Sequence, residues 1–192
     1  MSRTPILMIL GLSLGASACS SAPDPVLYTL ADPNIPSVWA TDQKVIGLSE
    51  LSLPAYARNQ QITTAVSTYR LSEDDDHRWA SPPSEALTAA LSKALESSTG
   101  NIVLQRPFPA GVRPDIRLSI TFDRLLRGAE GDAQMSGQYL VQIGEQPAQI
   151  KRFAIITPGA DRSYEAYMAA LSKGLMELGT QIAAQLDTAP SS

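Results

Sequence analysis

The chain has 192 residues, of which 44% are apolar, and its formal net charge is −4 at pH 7 with a pI of about 5.0. This acidic balance gives no basic surface for nucleic acid or for an anionic membrane. One cysteine and one histidine exclude an internal disulfide and a zinc site built from several Cys and His ligands.

The first 25 residues have the layout of an exported N-terminus. Ile6–Leu14 is a short apolar run, too short at about 1.5 Å per residue to cross a hydrocarbon core of about 30 Å. Small residues follow it up to Cys19, as in a signal peptide, and a cysteine in this place resembles a bacterial lipobox. We therefore predict a signal peptide over residues 1–18, acylation of Cys19 and a tether over residues 19–25. Ser20 after the cysteine favours the outer membrane, and an unmodified thiol in a secreted protein is the alternative.

The next part of the chain predicts strands separated by breaks. Val26–Leu30 and Lys44–Leu53 have strand composition, and Asp32–Pro36 holds two prolines that end the first of them. Ile62–Leu71 is rich in Thr, Val and Tyr, so we expect another strand or a hairpin. The run Glu73–Asp76 predicts an acidic loop.

A helix and a meander of strands are expected next. Ser81 can cap a helix, Pro82 fits its first position, and Gly100 ends an apolar stripe formed by leucines at every fourth position. Asp115–Asp123 alternates apolar and polar side chains, which predicts a strand with one covered face. The turn, strand and further strand that follow complete the meander: Gly128–Asp132, Met135–Ile143 and Ala148–Ile156.

The last element is predicted to be the longest helix. Apolar residues step by three and four from Tyr164 to Leu186, which indicates a helix packed on the sheet, with a partner helix as the alternative. Gly174 and Gly179 lie within it and suggest close backbone contacts. Together the elements predict a single α/β domain over residues 26–187, with a mixed, largely antiparallel sheet, two main helices and a disordered tail at 188–192.

No catalytic motif is present in the sequence. It lacks a Gly-x-Ser-x-Gly elbow, a phosphate-binding loop and a His-Glu-x-x-His zinc motif. His77 is expected in a solvated, charged loop, and the acidic run beside it lacks the ligand spacing of a calcium loop. We therefore predict a non-enzyme without metal or cofactor.

Four residues are candidates for a partner interface. Tyr56 and Arg58 lie in a proline-bearing loop between strands, and Arg78 and Trp79 precede the first helix. Tyr, Trp and Arg are enriched in interface hot spots because they combine contact area with hydrogen bonding. The alternative is structural: Trp79 fills the core, and the arginines pair with the acidic run.

Three short motifs occur together in one known family. They are Tyr28-Thr29-Leu30, the segment Leu53–Thr63 and the segment Arg78–Pro82. With the lipobox and the last helix, they resemble the motifs of the ABC-type transport auxiliary lipoproteins, the paraquat-inducible protein C-like family.

The resemblance implies a role in lipid transport. Members of this family are partners of MCE-type (mammalian cell entry) systems, in which an ABC permease and ATPase drive phospholipid movement between Gram-negative membranes. The lipoprotein then meets the periplasmic MCE protein at the outer membrane. The resemblance also implies a TolB amino-terminal or anticodon-binding-like arrangement and a homo-oligomeric ring.

Two other functional classes stay open. An assembly or pilot lipoprotein of the outer membrane, which binds a barrel or a secretin, would share the anchor and the fold. A periplasmic hydrolase would need a pocket of convergent titratable groups.

Overall fold

The computed structural model describes residues 24–30 and 43–187. The predicted signal peptide, Cys19, the break at Asp32–Pro36 and the tail at 188–192 lie outside the described residues.

The described residues form eight strands, two long helices and one short 3₁₀ helix. The strands are β1 (Val26–Tyr28), β2 (Val45–Leu48), β3 (Gln61–Ser67), β4 (Arg70–Trp79), β5 (Ile102–Gln105), β6 (Ile116–Arg127), β7 (Ala133–Ile143) and β8 (Gln149–Thr157). The helices are α1 (Pro83–Thr99) and α2 (Tyr164–Asp187), and the 3₁₀ helix is Ala55–Ala57.

One face of β6 forms the centre of the core. Its alternating apolar residues are fully buried together with the leucine stripe of α1 and the apolar stripe of α2. The side chains on the other face of β6 and its neighbours are mostly exposed or half-buried. The period-two pattern therefore produces a sheet with both helices packed on one face and the other face open.

The sheet is open and mixed, which confirms the predicted α/β domain. The antiparallel pairings β3–β4, β6–β7 and β7–β8 join strands adjacent in sequence and are the long ones. Four shorter parallel pairings attach β1 to β4, β2 to β5, and both β2 and β3 to β6. Both the predicted meander and the predicted hairpin are confirmed.

The edge of β6 that faces away from β7 is shared by two strands. β2 pairs with its first part, from Ile116 to Leu118, and β3 meets its last residue, Arg127, through Thr64. Between them, Ser52 accepts a backbone hydrogen bond from Phe122 and donates one to Ile120. The loop from β2 to β3 thus continues the edge pairing where no strand is present.

Three local predictions were wrong. The acidic run Glu73–Asp76 is not a loop but the middle of β4. The second strand ends at Leu48, five residues earlier than its composition suggested. The first helix begins at Pro83 rather than Pro82, and its N-cap makes no side-chain hydrogen bond. The end of this helix is confirmed, since Gly100 has a φ of 65° and its N–H bonds to the Glu96 carbonyl.

Both glycines of α2 lie at close contacts, and the predicted backbone contact is found at Gly179. A Cβ on Gly179 would be 3.1 Å from the backbone carbon of Ala94 in α1. A Cβ on Gly174 would be 2.4 Å from the Cε atom of Met135 in β7. The two glycines therefore let α2 approach both the first helix and the sheet.

We predict that Gly179→Leu lowers the free energy of unfolding by about 2 kcal/mol or more, because the side chain has no space against the α1 backbone. The loss should occur although leucine is the better helix former. Thr180→Leu is the matched control, since Thr180 is exposed in the same helix. Urea unfolding followed by circular dichroism measures both, and equal stability of the two variants would contradict the close-packing argument.

Candidate functional site

The loop between β2 and β3 places Tyr56 against the edge of β6 that β2 and β3 share. We call this the divided edge. The Tyr56 hydroxyl accepts a hydrogen bond of 3.3 Å from the backbone N–H of Leu125, just beyond the bulge of β6 at Asp123. Its own carbonyl accepts a 2.9 Å hydrogen bond from the Thr63 hydroxyl. The ring is half-buried against the core. Tyr56 therefore contributes to the fold through its hydroxyl while one part of it faces solvent.

Of the two candidate arginines, Arg58 is exposed and Arg78 is half-buried. Arg58 is exposed and donates through Nε to the Leu53 carbonyl at 2.9 Å, within its own loop. Arg78 lies at the end of β4 and bonds to the backbone and side chain of Asp75. The Asp75 side chain is 81% exposed, so this surface ion pair contributes little to stability and leaves both groups accessible.

Trp79 is placed in the core. Only 4% of it is exposed, and its backbone N–H donates to the Gln60 carbonyl at 2.7 Å. In register it pairs with Tyr28 of β1, and Gln61 of β3 pairs with Arg78. The three sequence motifs are thus joined at one end of the sheet, with Trp79 as the buried member that offers no side-chain surface to a partner.

A second cluster lies beside this end of the sheet and was not expected from the sequence. The rings of His77 and Tyr164 stack with centroids 4.0 Å apart, and Tyr28 lies 5.8 Å from His77. His77 is half-buried in β4, so the expected solvated loop was wrong. The stack joins β1, β4 and the first residue of α2.

Asp74 is the polar centre of this cluster. Its Oδ2 atom accepts a 2.6 Å hydrogen bond from the Tyr164 hydroxyl and lies 3.1 Å from Nδ1 of His77. Partial burial disfavours the charged carboxylate, but hydrogen bonds from Tyr164, the Asp76 backbone and His77 outweigh it and lower the pKa of Asp74. Burial, followed by the bond to Asp74, raises the pKa of Tyr164 to about 12.

Arg127 covers the other side of the same tyrosine. Its guanidinium carbon lies 4.7 Å from the Tyr164 ring centroid, and it donates to the Arg162 carbonyl. Arg127 is 8% exposed and forms no ion pair with a carboxylate in the described part of the chain. The aromatic face therefore takes the place of a counter-ion for this buried cation.

The polar groups of this cluster are bonded to one another. Among the described residues, Asp74 is the hydrogen-bond partner of both the His77 ring and the Tyr164 hydroxyl. The same residues contain no group of three or more His, Cys, Asp or Glu side chains placed to hold a metal ion. The sequence carried no signal for the cluster, because its parts come from three distant segments.

Several solved structures share this fold. The crystal structure of an uncharacterized protein matches with a TM-score of 0.72 at 18% identity, covering 85% of this chain and 99% of its own. The crystal structure of a DUF330-family protein from Xanthomonas campestris matches with a TM-score of 0.61 at 17% identity, covering 86% of this chain and 98% of its own. These identities establish the fold alone. No curated protein matches the chain significantly.

The family is established by the sequence itself. The sequence model described as ABC-type transport auxiliary lipoprotein component matches residues 28–183. The fold and this match together define an accessory protein of an ABC-type transport system, of the lipoprotein class. The chain belongs to the ABC-type transport auxiliary lipoprotein component family, which confirms the resemblance inferred from the motifs.

We predict that Tyr56→Phe lowers the free energy of unfolding by about 1 kcal/mol, because the Leu125 N–H loses its acceptor while the ring remains. Tyr69→Phe is the control, since Tyr69 is 98% exposed. Chemical denaturation of both variants measures the difference. A Tyr56→Phe protein as stable as the control would show that the hydroxyl does not support the divided edge.

We predict that Asp74 makes stability depend on acid. Because its folded pKa lies below the usual 3.8, its contribution is present above that value and is lost as the pH falls through the folded pKa. As the pH falls below 3.8, the wild type should therefore lose more stability than Asp74→Asn. Thermal melts across this range give the comparison, and parallel curves would contradict it.

Proposed function

We propose that this chain is a non-catalytic outer-membrane lipoprotein that docks a periplasmic MCE protein of an ABC-type system. That system moves phospholipids between the two membranes, and its permease and ATPase supply the energy. The observation that carries the proposal is the family match over residues 28–183, which includes all three motifs joined at one end of the sheet. Assembly into a homo-oligomeric ring belongs to the same proposal.

The anchor in this proposal is the acylated Cys19. Within residues 24–30 and 43–187, no helix combines the length and apolar character needed to cross a bilayer. Each buried CH₂ of an acyl chain contributes about 0.8 kcal/mol, so more than one chain gives stable anchoring. The domain then begins a few residues after its point of attachment and works at the periplasmic face of the outer membrane.

The docking surface in this proposal includes the loop between β2 and β3. Arg58 is the exposed cation of this loop, and Arg78 lies at the end of β4. Tyr56 holds the loop against β6 through its hydrogen bond to Leu125. Loops of this kind run over the surface and are positioned by a rigid scaffold. Trp79 supports the same end of the sheet from inside the core.

We predict that Cys19 carries the lipid. Intact mass of the wild type should show the added acyl groups, and Cys19→Ser should lose both the mass and the membrane retention. Fractionation of inner and outer membranes measures where the wild type resides. An unmodified Cys19, or a serine variant retained equally well, would overturn the anchor.

We predict that Arg58→Ala weakens binding to the MCE protein without changing the melting temperature, because Arg58 is exposed. Trp79→Ala is the contrasting variant: it opens a core cavity and should lose about 3–5 kcal/mol of stability. Melting curves and a pull-down with purified MCE protein separate the two effects. Unchanged binding by Arg58→Ala would remove this loop from the docking surface.

A further inference from the structure

The β3–β4 hairpin extends past the body of the sheet. β3 meets β6 at Thr64, and beyond this point Ala65 pairs with Leu71 and Ser67 with Arg70. None of these residues pairs with a third strand in the described part of the chain. Residues Ala65–Leu71 are therefore a projecting two-stranded segment, which we call the hairpin end.

The hairpin end exposes apolar side chains. Tyr69 is 98% exposed, and Leu71 and Val66 are 41% and 40% exposed. They are three of the seven large apolar side chains that are exposed among the described residues, and they fall within six consecutive positions. Exposed apolar residues are normal when scattered, but a cluster on a projecting segment indicates an interaction surface.

Packing within the hairpin does not account for these side chains. A two-stranded ribbon is marginally stable in water by itself, and polar residues would serve its exposed turn equally well. Within the described part of the chain, Tyr69 makes no side-chain hydrogen bond and no ring contact. Its ring and hydroxyl are therefore both available to a partner, a combination that is enriched at interface hot spots.

The charge beside the hairpin end specifies the kind of partner. Glu73, Asp75 and Asp76 follow it along β4 and are all exposed. Arg78 bonds to Asp75 and Arg70 lies at the turn, so carboxylates remain in excess over cations on this strand. An anionic lipid surface would repel this strand, whereas Lys and Arg side chains of a protein would attract it.

We propose that the hairpin end is a docking element for a protein partner. The partner receives Tyr69 in an apolar pocket, and its basic side chains face Glu73, Asp75 and Asp76. The proposal rests on the proposed function only in naming this partner as the MCE protein. It adds an apolar anchor and acidic side chains to the Arg58 loop, and the two surfaces meet where Asn59 donates to Glu73 and Arg78 bonds to Asp75.

Binding of the full-length lipoprotein in detergent to the purified MCE protein tests the proposal. Tyr69→Ser should weaken binding about thirtyfold, as for a hot-spot residue, and keep the melting temperature. Ile156→Ser is the matched control, since Ile156 is 71% exposed on β8, and it should bind within about twofold of the wild type. Raising the salt from about 50 to about 500 mM should weaken the wild type more than Asp76→Asn.

The outcomes distinguish the two proposals. If the wild type binds and Tyr69→Ser binds equally well, the hairpin end is overturned while the MCE partnership stands. If the wild type does not bind, the MCE partnership fails. Photo-crosslinking in cells then tests whether the hairpin end docks a protein. For this, a photoreactive amino acid replaces Tyr69, with Ile156 as the control position. The proposal is supported if mass spectrometry identifies a protein crosslinked to position 69 and the crosslinked site on that protein is an apolar pocket bordered by Lys or Arg. No adduct, or an adduct to lipid alone, overturns it.

Discussion

The backbone groups along one edge of β6 must be satisfied by two separate strands. β2 pairs with the first part of this edge and β3 meets only its end, so the loop between them carries the pairing across the gap. Ser52 bonds to Ile120 and Phe122, and the Tyr56 hydroxyl accepts from Leu125. This short series of hydrogen bonds joins β3, and through it β4 and β1, to β6, while Ile62 and Trp79 attach the same strands to the core by packing. The loop between β2 and β3 therefore holds the two parts of the sheet together.

The long amphipathic elements could be predicted from the sequence because burial of one face imposes a period on the side chains. β6 shows this with its alternation from Ile116 to Phe122, and α2 with its stripe from Tyr164 to Leu186. The close contacts of Gly174 and Gly179 also followed from their position in an otherwise regular helix. The sequence also indicated the structural alternative for Trp79, since a large aromatic beside a helix start packs readily into a core.

The candidate site was harder to predict because its partners are distant in sequence. Asp74 appeared as part of a solvated acidic run, and only the folded chain brings it to the Tyr164 hydroxyl and the His77 ring. The pairing partners of the short parallel strands could not be predicted either. A strand of three or four residues is too short for its hydrophobic periodicity to indicate which strand it pairs with. Local composition therefore predicts that a charged side chain is exposed, but it does not reveal that a folded partner half-buries one of them.

The parallel pairing of β1 with β4 has a consequence for the order of folding. Val26 must find His77, whereas the β3–β4 hairpin and the β6–β8 meander join neighbours along the chain. Contacts across long sequence separations form after local ones, since the entropy of closing the intervening chain opposes them. β1 therefore reaches its place only after β4 has formed. Until then Val26–Tyr28 stays outside the sheet, while the hairpin and the meander are already paired.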